Sequence, residues 1–89
     1  MTRKIDEDPR NIILELRIDI GALLIRRGVS QNQLADMLGV SRPYVSKLMT
    51  GEVKLPLQFV AAVCGVLGAD LTLTPADLDW EDWKRGKKK

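Results

Sequence analysis

Histidine is absent from this chain of 89 residues, and cysteine occurs once, at Cys64. Without an imidazole there is no Ser-His-Asp triad, no histidine general base and no histidine-ligated metal. A single cysteine excludes an internal disulfide and a cysteine-based zinc site. Long apolar runs are missing as well. The longest stretch free of charge, Leu55 to Ala69, holds Pro56 and Gln58 and is too short to span a bilayer. Met1 to Asp8 has no apolar core segment, so no signal peptide is expected. No acidic pair is tied to a pocket or to metal-ligand spacing, so neither enzyme activity nor a cofactor is expected. The composition that remains, 45% hydrophobic and 29% charged, excludes general disorder. So short a chain forms one domain with limited burial, which a partner subunit would supplement. These features point to a small, cytoplasmic, α-rich binding domain.

Net charge is only +2, and its placement says more than its sum. Residues 1–28 carry six positive and five negative side chains, and residues 29–68 carry three and two. Asp70, Asp77, Asp79, Glu81 and Asp82 then precede a basic end, Lys84-Arg85-Gly86-Lys87-Lys88-Lys89. Such separated blocks mark either a tail with its own electrostatic role or a solvated end.

Start and stop signals divide the chain into helices. Asp8-Pro9 predicts a first helix running to Arg27, with Gly28 as its stop. Ser30 caps a second helix, Gln31 to Leu38, ended by Gly39. Ser41 caps a third, Arg42 to Met49 or Thr50, ended by Gly51, and a fourth runs from Pro56 to Leu67 with Gly68 as its stop. Beyond it, Asp70-Leu71-Thr72-Leu73-Thr74 alternates polar and apolar residues like a short strand. Thr74-Pro75-Ala76-Asp77 then caps a short fifth helix carrying Trp80 and Trp83. A lone strand leaves its backbone groups unpaired, and the same strand of a second copy is the simplest partner. The expected organisation is a flexible arm over 1–8, a helical domain over 9–68, a dimerisation strand and short helix over 69–83, and a basic tail over 84–89. The fold class is therefore all-α, with four to five helices and one short strand paired across a dimer.

Gln31 to Thr50 meets the steric demands of a helix-turn-helix. Ala35 is small where two helix backbones approach, and Gly39 tolerates the positive φ of the turn. Leu34, Leu38, Val40, Val45 and Leu48 occupy inward positions, while Arg42, Pro43, Ser46 and Lys47 turn outward. An ordinary helical hairpin would not need a small residue at 35 together with a glycine at 39.

The segment Gly28 to Pro56, GVSQNQLADMLGVSRPYVSKLMTGEVKLP, resembles the Cro/C1-type (XRE) family of helix-turn-helix regulators, whose fold is lambda repressor-like. With looser matches in helices one and four, the resemblance covers about two-thirds of the chain. It implies a second motif helix in the major groove of double-stranded DNA and a dimer reading two half-sites. It implies that Arg42, Pro43 and Lys47 face bases with Ser46 beside them, and that Gln31, Thr50 and Lys54 touch phosphates. Chemistry supports Arg42 as the leading base reader, because its planar fork bonds guanine O6 and N7 together. Pro43 also suits simple helix initiation, and Tyr44 suits either a phosphate contact or packing against the loop.

The chain departs from that family at Leu24, where a basic residue is common, and at Ala62 and Gly65, where lysines are common. Helix four shows a core stripe of Leu57, Val60, Cys64 and Leu67 and a second stripe of Phe59, Ala62, Val63 and Val66. In helix one, Ile13, Leu16, Ile20, Leu23 and Leu24 face the core, and Leu14, Ile18, Ala22 and Ile25 line another face. Helices apolar on two faces need cover on two faces, so a homodimer is expected through Phe59, Ala62, Val63, Val66, Leu71, Thr72 and Leu73. The segment Leu71 to Thr74 is similar to the C-terminal strand of HipB-type antitoxins, which supports this pairing more than it supports a toxin partner. Cys64 reads as a buried small hydrophobe. Trp80 and Trp83 either fold back over the dimer or dock another protein. The expected function is a dimeric repressor of a palindromic operator, nucleoid-associated when bound. The alternative is an antitoxin that binds a toxin protein and represses its own operon.

Overall fold

The computed structural model describes residues 10–73 and contains four helices: α1 (Ile12–Arg27), α2 (Gln31–Leu38), α3 (Arg42–Thr50) and α4 (Leu57–Leu67). The starts of α2 and α3 follow from their side-chain caps. Ser30 accepts from the Gln33 backbone N–H while the Gln33 side chain accepts from the Ser30 N–H, closing a capping box. The Ser41 hydroxyl oxygen likewise accepts from the Tyr44 N–H at 3.2 Å.

The four described helices end in the same way. A glycine at positive φ turns the chain, and the next residue's N–H reaches back to a carbonyl of the last turn: Val29 to Leu24, Val40 to Ala35, Glu52 to Lys47 and Ala69 to Cys64.

The first helix starts later than Asp8-Pro9 predicts. Its N-cap is Asn11, with φ 58° and no side-chain cap. Asparagine tolerates the left-handed region, so the chain turns there and enters the helix at Ile12.

The core is built from Ile20, Leu24, Leu34, Ala35, Val45, Leu48, Phe59, Val60, Val63 and Leu67. No polar or charged side chain is buried among the described residues. α2 packs on α3 and α4, and α1 packs on α4.

Two assignments in α4 are corrected by this packing. Phe59 and Val63, expected at a dimer interface, lie in the chain's own core, whereas Leu57, expected in the core, is 72% exposed. Residues 59, 60, 63 and 67 share one helical face, and this single stripe fills the space over α2 and α1. Ala62 and Val66 stay exposed. In α1, Ile20 and Leu24 are buried, Leu16 and Leu23 are half-buried, and Ile13 is exposed. The other face of α1, with Leu14, Ile18, Ala22 and Ile25, is exposed in the single chain. Val40, expected inward, is exposed in the turn between α2 and α3.

Asp70 to Leu73 form neither helix nor strand within the chain and are exposed. The remaining expectations for the N-terminal arm, Thr74, the helix of Trp80 and Trp83, and the basic tail lie outside the described residues.

Candidate nucleic-acid interface

The α2–α3 pair is built around two inward side chains of α3, Val45 and Leu48, which are fully buried with Leu34 and Ala35 of α2. The turn between them, Gly39 to Ser41, is three residues long. It has Gly39 at φ 70° and nothing within 4 Å of where a Cβ would lie. The glycine is thus required by backbone conformation rather than by space.

At about 100° per residue, burying Val45 and Leu48 turns the opposite side of α3 outward. Pro43, Ser46, Lys47 and Thr50 share that side, and all four are exposed. Arg42 and Tyr44 fall on its two flanks and are exposed too. Of the four residues expected to face bases, Pro43, Ser46 and Lys47 are therefore brought to one outer surface, and Arg42 stands exposed at its edge. Pro43 stands in the first turn, where its missing N–H leaves no bond unmade.

Each flank has a distinct neighbour. On one side the Arg42 Nη2 donates to Asp36 Oδ2 of α2 at 3.2 Å, an exposed ion pair that bridges the two motif helices. On the other, Tyr44 lines an open, mostly apolar groove of about 290 Å³ with Leu38, Val40, Pro56, Gln58, Phe59 and Ala62. The residues expected at phosphates are spread around the motif. Gln31 is exposed as the first residue of α2, and Lys54 is exposed in the loop before α4. The Thr50 hydroxyl donates to the Lys47 carbonyl at 3.3 Å, so within the chain it closes the last turn of α3.

The sequence reading missed what holds α3 in place. Arg17 of α1 donates from Nε to the Leu48 carbonyl at 2.8 Å and from Nη2 to the Val53 carbonyl at 3.1 Å. Arg27 does the same at the end of α4, donating to the carbonyls of Leu67 at 2.8 Å and Gly68 at 3.1 Å. Cations suit the carbonyl ends of helices, where unpaired oxygens carry partial negative charge. The Ser30/Gln33 box was also missed beyond its serine, although the S-x-x-Q spacing announces it.

A family model for the helix-turn-helix domain matches residues 19–76. The chain belongs to the helix-turn-helix domain family. No curated protein and no solved structure matches it. The matched segment of this helix-turn-helix protein begins inside α1 and includes the whole of α2, α3 and α4. Membership supports DNA binding by a regulator, and the structure presents an exposed polar helix suited to it. Among the described residues, no helix is long and apolar enough to cross a membrane, and no cluster of acidic or sulfur side chains is placed to hold a metal ion.

Proposed function

We propose that this helix-turn-helix protein is a dimeric, sequence-specific repressor of the Cro/C1 type, which lays α3 in the major groove of a palindromic operator. The observation that carries this reading is the outer surface of α3. Arg42, Pro43, Ser46 and Lys47 are exposed together on a helix whose other side is locked into the core. An α-helix fits the major groove, and the side chains facing outward there meet base edges. Arg42 reads guanine through O6 and N7, and Lys47 reaches neighbouring base pairs. Pro43 offers only apolar contact, and Ser46 a hydroxyl. Gln31, Tyr44, Thr50 and Lys54 surround this surface and bind phosphates, which fix register without reading sequence. Thr50 exchanges its local bond for a phosphate oxygen.

The dimer forms over exposed apolar surface. With Phe59 and Val63 committed to the core, the interface consists of Ala62, Val66 and the segment Leu71-Thr72-Leu73, paired with its copy across a two-fold axis.

Selection of bound sequences from random duplex DNA tests both parts. The expected product is a palindrome whose half-sites lie about one helical turn apart, or a multiple of it. A single unrepeated half-site would remove the dimer, and no enrichment would remove sequence-specific binding.

A further inference from the structure

One contact at the interface is not explained by packing. Asp36 stands in the last turn of α2 (Gln31–Leu38), a helix with no basic residue in that turn. A negative charge is disfavoured at the carbonyl end of a helix, and aspartate is a weak helix former. Asp36 is therefore doubly unsuited to its own helix. Its side chain is 63% exposed, so burial does little to compensate. What it does is hold the Nη2 of Arg42 at 3.2 Å, across the turn between the motif helices.

From this geometry we infer that Asp36 is a positioning residue for sequence recognition: it holds the Arg42 guanidinium in the orientation that meets a base. The inference rests on the proposed role of Arg42 as a base reader. A guanidinium carries five donors in a rigid plane. One carboxylate oxygen on Nη2 leaves Nε, Nη1 and the second hydrogen of Nη2 to bond elsewhere. A long arginine side chain otherwise loses rotamer freedom when it docks, and holding it beforehand reduces that loss. The carboxylate also opposes DNA in general, because it stands beside the binding helix and repels phosphates. The repulsion lowers affinity for every duplex alike, whereas the positioning helps only where a base rewards Arg42, so Asp36 sharpens preference rather than raising affinity.

The test uses the full-length protein and the duplex that the wild type selects from a random library, together with single-base variants of that duplex. Asp36→Asn and Asp36→Ala, Arg42→Ala and the Asp36→Ala/Arg42→Ala double variant are measured on each, with circular dichroism confirming helix content. The expected result is a loss of discrimination of about two- to fivefold, the range of an exposed ion pair, confined to the base pair that Arg42→Ala also relaxes. Random duplex should be bound more tightly by both Asp36 variants. In the Arg42→Ala background the discrimination effect of Asp36→Ala should vanish, because it acts through the arginine. If the Asp36 variants tighten binding to every duplex equally and keep the wild-type preference, the positioning role is overturned and Asp36 acts only as a general repeller. If Arg42→Ala itself leaves preference unchanged, the base-reader reading fails instead, a result the Asp36 variants alone would not produce.

Discussion

Arg17 carries a disproportionate share of the site's geometry although it lies outside the α2–α3 motif. Its guanidinium ties the last turn of α3 and the following loop to α1 through two carbonyls 31 and 36 residues away in sequence. Hydrogen bonds from a charged donor contribute about 1.5–3 kcal/mol each, less where solvent competes. Arg17→Met keeps most of the side chain's bulk and removes both bonds. It should lower stability by about 1.5–3 kcal/mol, read as a fall in the urea midpoint at unchanged slope. It should also weaken DNA binding more than that loss of folded fraction explains, since α3 then keeps only its buried face and the exposed Arg42–Asp36 pair. A change in binding no larger than the folded fraction predicts would show that the core alone orients α3.

Among the elements, those with local signals were legible and those set by tertiary packing were not. Ser30, Ser41 and the stop glycines place α2, α3 and α4 because a cap is a bond between neighbours in sequence. The start of α1 was misread because proline suits a first helical position but does not demand one, and Asn11 turns the chain instead. In α4 a nearly continuous apolar run gives no contrast between faces, so periodicity alone assigned Phe59 and Val63 to the wrong stripe. The outer surface of α3 was readable because its polar and apolar residues alternate with helical period. The Arg17, Arg27 and Asp36 contacts were not, since nothing local marks a side chain that bonds a distant carbonyl or crosses a turn. One element-level prediction isolates the turn. Gly39 sits at φ 70° with open space around it, so Gly39→Ala should cost about 1–2 kcal/mol from backbone conformation alone. Gly39→Asn should cost less, because asparagine visits that region more readily. Thermal unfolding of the two variants checks the order. Equal losses would point to a steric rather than a conformational requirement.

At the scale of the whole molecule, ten buried core residues among the described residues support a surface with considerable exposed apolar area, including Val66 at 40%, Leu71 at 50% and Leu73 at 100%. A small domain with such surface gains from association, which agrees with the proposed dimer and with two copies of α3 presented to one duplex. The central claim is that α3 reads sequence while its surroundings bind the backbone. Arg42→Ala and Lys54→Ala, each titrated against the selected duplex, single-base variants of it and random duplex, test that claim most directly. Arg42→Ala should relax preference at one base pair in each half-site by about 1–3 kcal/mol. Lys54→Ala should weaken all duplexes alike and reduce the slope of log affinity against log salt by about 0.9 for each phosphate that is no longer neutralised. Uniform loss of affinity in Arg42→Ala, with the wild-type preference intact, would contradict the account.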